Sequence, residues 1–385
     1  MQHDEQVRLI RRALALIAAG DSERGEATLS PVARYLDPAR FEREREHVIC
    51  RHPVAVCPSA QLARPGDTLA VDLAGLPVLL VRGEGGELRG FVNACRHRGA
   101  RLLDAGEHSK RVLICPYHSW SYRLDGTLAG RPHAADFAHA PPGQCALARV
   151  AVGESLGLVW VVPRVLAPDE SAVLDLRAHL GRFAQDLRHW GYDLWVPFHQ
   201  RSFTNAANWK IPFEGNLETY HFQYAHRDSI APLFHDNLLI ADHDGDHQRL
   251  LLPKRSMAGL RDQDPAQWDI GRHSNIIYFF FPATFILHEG DHANLFSVWP
   301  EAVDRSTVRA ITLIPELPAT EKARAHWRKN VDSFWGALDE DFALGVSCQS
   351  TLASGANTHW HFGRTECSAA RFHAAVERLS GLTIG

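Results

Sequence analysis

The chain has 385 residues, 45% hydrophobic and 22% charged, which suits about two soluble globular domains and excludes a disordered or fibrous protein. A net charge of −4 gives no basic field for nucleic acid, and the longest apolar run, about 275–287, is too short and too interrupted by proline to cross a bilayer. Seven cysteines, an odd number without dense spacing, point to a reduced, cytoplasmic setting rather than a disulfide scaffold.

Residues 1–47 read as a helical segment. Arg11-Arg12 before Ala13–Gly20 only faintly imitates an export signal, because Asp4 and Glu5 lie where such signals are positive. Leu9, Ala13, Leu16, Ile17 and Ala18 share one helical stripe, so a docked amphipathic helix is expected, and Phe41–Glu46 reads as a solvated helix face. Residues 48–165 read as a small all-β domain, with short apolar runs such as Leu76–Val81 and a hairpin turn at Asp125-Gly126. Pro163–Glu170 reads as a linker. Residues 166–385 mix strand patterns, including Ile276–Leu287, with a helical stretch from about Lys322, giving an α+β class for the whole.

Two short loops carry the first chemical signal. Cys95-Arg-His97 and Cys115-Pro-Tyr-His118 form C-x-H, seventeen residues, then C-x-x-H. Such a set can hold a tetrahedral zinc or an iron–sulfur cluster. Each loop supplies one Cys and one His, which suits a centre with two thiolates on one iron and two imidazoles on the other. The pattern resembles the Rieske proteins. Ala100 and Tyr117 stand where cytochrome bc-type members have a disulfide, so the likeness is to the Rieske domains of non-heme iron oxygenases and their ferredoxins. Cys50, Cys57, Cys145, Cys348 and Cys367 read as small buried hydrophobes.

The second signal is Asn208-Trp-Lys-Ile-Pro-Phe-Glu214-Gly-Asn-Leu-Glu218-Thr-Tyr-His221-Phe-Gln-Tyr-Ala-His226. On a helix Glu218 and His221 are neighbours, whereas His221 and His226 diverge by about 140°, so they can share a metal only if the helix widens or breaks. The segment resembles the N-W-K-x-x-x-E-N-x-x-[DE]-x-Y-H-x-x-x-x-H signature of the Rieske oxygenase catalytic domain, with Gly215 where Asn is common. That resemblance implies a helix-grip fold, a mononuclear Fe(II) on His221 and His226, and Glu218 as the electron relay. A family pattern of E-D, seven residues, Q is matched by Glu340-Asp341 and Gln349, making Asp341 the implied third ligand and Asp339 the runner-up.

The resemblance further implies a terminal oxygenase with a [2Fe-2S] cluster, fed by a separate NAD(P)H-dependent reductase with or without a ferredoxin, and assembled as a homotrimer. The chain carries no G-x-G-x-x-G fingerprint of its own. Its expected reaction is O2-dependent mono-oxygenation or oxidative demethylation of a small organic substrate, since Glu at the relay resembles the carnitine and glycine betaine branch. Cis-dihydroxylation of an aromatic ring, a Rieske electron carrier or redox sensor without catalysis, and a zinc-stabilised binding protein are the alternatives. The run Ile276–Phe285 either lines a substrate pocket or fills a core.

Overall fold

A computed structural model describes residues 1–382, which fall into two compact units: Ile49–His179, and Met1–Val48 together with the segment from Leu180 onward. The first unit is a seven-stranded antiparallel sheet of β1 (Val54–Pro58), β2 (Asp67–Leu73), β3 (Leu76–Arg82), β4 (Leu88–Val92), β5 (Gly106–Ser109), β6 (Arg149–Ser155) and β7 (Leu158–Val165). Its order is β1-β7-β6-β4-β3-β2-β5. A three-stranded sheet, Leu113–Ile114, Ser121–Tyr122 and Leu128–Gly130, carries the second Cys/His loop. At its Asp125-Gly126 turn Gly126 has φ +84°, and a Cβ there would run into the Phe91 ring, so both conformation and space require glycine.

Residues 166–179, assigned by sequence to the second domain, cluster with this β unit instead. The supposed linker is a strand extension and a strap. Leu166, Ala172 and Leu174 pack on Ala151 and Val162, and Glu170 closes an ion pair of 2.6 Å with Arg164. Apolar residues at alternating positions of the strap outweigh its Pro and Asp content.

The second unit is built on another seven-stranded antiparallel sheet. Its strands are β8 (Val196–Asn205), β9 (Ile240–Asp244), β10 (His247–Pro253), β11 (Ser274–Phe280), β12 (Thr284–His288), β13 (Ala293–Ala302) and β14 (Arg305–Ile314), in the order β8-β14-β13-β12-β11-β10-β9. The expected strand Ile276–Leu287 is a tight hairpin, β11 turning into β12, with Phe279 opposite Phe285. Most of its rings fill the core: Phe279 and Phe285 stack at 4.7 Å and pack with Phe213 and Phe372. Aromatic pairs of this kind add roughly 1 kcal/mol each beyond their buried area.

Helices cover the sheet: α1 (His3–Ala19), α2 (Pro38–His47), α3 (Ile211–Asn216), α4 (Phe222–Ala225), α5 (Glu321–Leu352) and α6 (Cys367–Ser380). The buried face of α1 is Gln6, Leu9, Ile10, Ala13 and Leu14, so the stripe is rotated from the one expected and leaves Ala18 exposed. Nor is α2 wholly solvated. Its Glu44 is fully buried, 2.5 Å from the equally buried Lys210 ammonium, and accepts the Trp209 indole N–H at 3.2 Å. Losing either partner would strand a buried charge, at a cost of about 3–5 kcal/mol. Among the described residues no helix is long and apolar enough to cross a membrane.

Candidate active site

Each half of the signature segment has a positional task. Asn208 donates through its side chain to Val303 O at 2.7 Å and Tyr35 O at 3.3 Å, while its backbone N–H donates to Gln349 Oε1 at 2.9 Å. Gln349 sits on α5, two turns after Asp341, so this bond registers the helix carrying one candidate ligand against the segment carrying the others.

After α3 the chain leaves helical geometry, and Glu218 lies in an irregular stretch rather than on the helix face expected from its spacing. Its carboxylate caps the next turn, accepting the backbone N–H groups of Tyr220 and of His221 (3.2 Å), and also accepts from His221 Nδ1. Helix α4 is a single turn, with His221 just before it and His226 just after. The helix therefore breaks at both histidines. The 140° divergence of a continuous helix is removed, and the two Nε2 atoms stand 3.2 Å apart.

Asp341 Oδ1 lies 3.0 Å from His226 Nε2 and 3.5 Å from His221 Nε2. Among the described residues, His221, His226 and Asp341 are the one group whose donor atoms all lie within 4.8 Å of each other. Asp339, the runner-up, points away and pairs with Arg201 at 2.9 Å. Glu340 has a role that its sequence position did not reveal. Its carboxylate is 2.6 Å from His226 Nδ1 and accepts from Ser229 Oγ at 2.7 Å.

Both imidazoles thus give their Nδ1–H to a carboxylate, Glu218 on one side and Glu340 on the other. Their Nε2 lone pairs then converge on one point, with an anionic oxygen beside them. Burial pulls both imidazoles down, but the surrounding carboxylates outweigh it and raise their affinity for a proton. Two converging lone pairs and a carboxylate repel one another unless a cation sits among them. The donor set fits a divalent metal with the two-histidine, one-carboxylate face typical of non-heme iron, and the paired carboxylates orient its imidazole ligands.

Two cavities open on this group. One, of about 280 Å³, is lined near the triad by His221, His226, Phe222, Phe234 and Leu338, with Ile277 and Leu287 from the sheet. The other, of about 410 Å³, holds Glu218, Cys348, Trp360 and Glu366. Gly215, which replaces the usual asparagine, borders both, while Asn216 bonds to Pro212 O at 2.9 Å. Of the expected pocket-lining run only Ile277 faces the first cavity, joined by Asn275 and Leu287 at its flanks. Cys348 is exposed on α5, unlike the buried Cys50, Cys57 and Cys145, and Cys367 is intermediate.

In the β unit the four loop residues form two couples. Burial pushes the Cys95 thiol up, and the neighbouring Cys115 thiol adds to the rise. The His97 and His118 rings meet edge-on, with centroids 4.6 Å apart. His97 stacks on Trp120 at 5.0 Å, and its buried Nδ1 has no hydrogen-bond partner. Separate thiol and imidazole couples, with an unspent imidazole nitrogen, fit a two-iron cluster better than one tetrahedral ion. Tyr122 O–H lies 3.3 Å from Cys95 Sγ and accepts the Arg96 N–H at 2.9 Å, leaving its own proton for the sulfur.

Residues 192–381 match the ring hydroxylating alpha subunit (catalytic domain) family, and residues 52–147 match the Rieske [2Fe-2S] domain. The chain belongs to the Rieske ring-hydroxylating oxygenase family. The cofactors of that family are a [2Fe-2S] cluster and a mononuclear non-heme iron. Over 201 residues, 52% of the chain, it is 33% identical to the carnitine monooxygenase oxygenase subunit of Escherichia coli K12, covering 53% of that protein. It is 32% identical over 205 residues to the glycine betaine monooxygenase oxygenase subunit of Chromohalobacter salexigens, covering 53% of the chain and 44% of that protein. The matched stretch therefore spans about half the length of these relatives.

Among solved structures, the quaternary ammonium Rieske monooxygenase CntA with L-carnitine superposes with a TM-score of 0.78 at 20% identity, over 92% of this chain and 96% of that one. Naphthalene 1,2-dioxygenase from Rhodococcus sp. gives 0.74 at 18% identity, over 97% and 98%. These two likenesses establish the shared fold.

Proposed function

We propose that the chain is the terminal oxygenase component of a Rieske system that mono-oxygenates, and in the case of N-methyl substrates demethylates, a small organic molecule. In the overall reaction one oxygen atom of O2 enters a C–H bond and the other leaves as water, with two electrons and two protons supplied. The electrons come from a separate NAD(P)H-dependent reductase, with or without a ferredoxin, and the working assembly is a homotrimer. The observation that carries this reading is the opening of the His221–His226–Asp341 face into a cavity lined beside it by Phe222, Phe234 and Leu338.

In this reading Cys95, Cys115, His97 and His118 hold the [2Fe-2S] cluster, and His221, His226 and Asp341 hold the iron. When bound, these groups supply one-electron transfer and dioxygen reduction. The rest falls to the protein. Glu218 and Glu340 fix the two imidazole rings, and the Glu218 carboxylate, at the edge of the second cavity, is the relay toward His221. Phe222, Phe234 and Leu338 keep bulk water from the reacting carbon. Relatives named for carnitine and glycine betaine favour mono-oxygenation over cis-dihydroxylation.

Incubation under ¹⁸O2 with a surrogate reductase and a panel of aromatic acids and trimethylammonium compounds tests it. One labelled oxygen per product, or formaldehyde release from an N-methyl substrate, is the expected result. A cis-diol with two labels, or no O2-dependent product from any compound, overturns it.

A further inference from the structure

The far end of the 280 Å³ cavity is polar, in contrast to its apolar middle. The turn between β12 and β13 brings Glu289, Asp291 and His292; Lys254 follows directly on β10; β11 contributes Asn275; and α5 adds His326 and Asn330. The carboxylates here are spent. Glu289 accepts from Asn294 Nδ2 at 2.8 Å and from Asn275 Nδ2 at 3.3 Å, and Asp291 accepts from His292 Nδ1 at 2.8 Å and lies 3.3 Å from His326 Nε2.

Two cationic side chains keep donors without an acceptor. His292 is only 5% exposed, and its Nε2 has no hydrogen-bond partner, standing 3.5 Å from the already occupied Glu289 Oε1. The half-buried Lys254 ammonium makes no hydrogen bond or ion pair of 4 Å or less to any described residue, and only the more distant Glu289 and Asp291 charges act on it. The charge of His292 is balanced by Asp291 and Glu289, but its Nε2–H has no hydrogen-bond acceptor and the Lys254 ammonium has no close partner; in a partly dry pocket both vacancies are costly, and an anion relieves both.

We infer that this cavity takes a substrate with an anionic head, a carboxylate or sulfonate, seated on Lys254 and His292, and an apolar body that reaches the triad. The inference rests on the oxygenase reading and narrows its substrate class. The path between the two ends is aromatic: Phe234, whose backbone is bridged to that of Lys254, stands 5.6 Å from Phe222, which stands 5.4 Å from His226. Burial lowers the His292 imidazole, but the hydrogen bond to Asp291 and the nearby Glu289 carboxylate prevail and push it up to about 9, so the imidazolium persists at neutral pH. Burial pulls the Lys254 ammonium down, as expected of a cation waiting for a counter-charge.

Calorimetric titration of the iron-loaded full chain with 4-phenylbutyrate, its amide and 4-phenylbutyltrimethylammonium tests the assignment. The acid is expected to bind about tenfold or more tightly than the amide, as a desolvated charge-assisted pair requires. Lys254→Met and His292→Gln should each erase that preference while leaving the amide's affinity within about twofold, and Lys254→Arg should restore part of it. Equal binding of acid and amide, tighter binding of the ammonium probe, no binding of the acid at millimolar concentration, or an unchanged preference in Lys254→Met overturns it. Iron content and O2-dependent turnover in the same preparations keep the two readings apart: a head-group preference without any oxygenation would sink the proposed function and leave the anion subsite standing.

Discussion

The two candidate metal centres are made in opposite ways. In the β unit the four candidate ligands come from two loops spanning residues 95–118, and the sheet behind them sets their spacing. In the α+β unit the candidate ligands are residues 221, 226 and 341, and the geometry of the two histidines depends on carboxylates outside that set. A centre on adjacent loops can be written as a local motif. A centre assembled across a domain needs an orienting shell, and that shell is where it can be dismantled in steps.

Glu218→Gln should have the largest effect on turnover with the least effect on metal. The amide can still accept from His221 Nδ1, so both metals should stay bound, while turnover falls by about 100-fold or more as the charged relay is lost. Rapid-mixing spectroscopy of cluster reoxidation checks it; reoxidation at the wild-type rate would remove the relay role.

Glu340→Gln comes next. Weakening the brace on His226 should cost about 10–100-fold in iron affinity or activity, whereas Asp339→Asn, one residue away and paired with Arg201, should leave both unchanged. Iron titration of the two variants measures the difference, and equal effects would show that the helix end, not the Glu340 brace, matters.

Tyr122→Phe probes the more self-contained centre. Removing an O–H donor to Cys95 Sγ destabilises the more negative, reduced cluster. One hydrogen bond is worth about 1 kcal/mol, so the potential should drop by roughly 40 mV for a one-electron couple. A redox titration that finds no drop would place the Tyr122 proton elsewhere.

The smallest effect concerns stability. Glu214 is buried beneath the second cavity, where it accepts from Tyr35 Oη and His373 Nε2, both at 2.8 Å. Burial pushes its carboxyl up to about 8. The folded state therefore holds a proton that the unfolded state releases near its ordinary carboxylate value, so this residue costs stability increasingly as pH rises toward 8. Glu214→Gln, which keeps the neutral shape, should match wild type near pH 4.5 and gain in melting temperature relative to it up to pH 8. A constant gap across that range would mean the carboxyl is ionised throughout.

How much of this could be read from sequence follows the same division. The Cys/His loops, the His221–His226 spacing and the Glu340-Asp341 to Gln349 pattern are all local strings, and each is brought to a site. The break at α4 could only be posed as a condition, because it depends on Glu218 capping a turn rather than continuing a helix. Glu44 looked solvated because its partner Lys210 lies 166 residues away. Pro163–Glu170 reads as a linker, and the rest of the strap as second domain, because the few apolar residues after it gain meaning only against β6 and β7. The brace from Glu340 to His226 left no trace in spacing at all.

The central claim is that two metal centres with disjoint ligands share this chain, the second held by His221, His226 and Asp341. Iron and acid-labile sulfide, counted per chain in wild type and Asp341→Ala, test it most directly. The account predicts three irons and two sulfides in wild type, and two irons and two sulfides with the red-brown colour intact in the variant, from one [2Fe-2S] cluster and one mononuclear iron. Three irons retained in Asp341→Ala, or zinc in place of iron and sulfide in wild type, would contradict it.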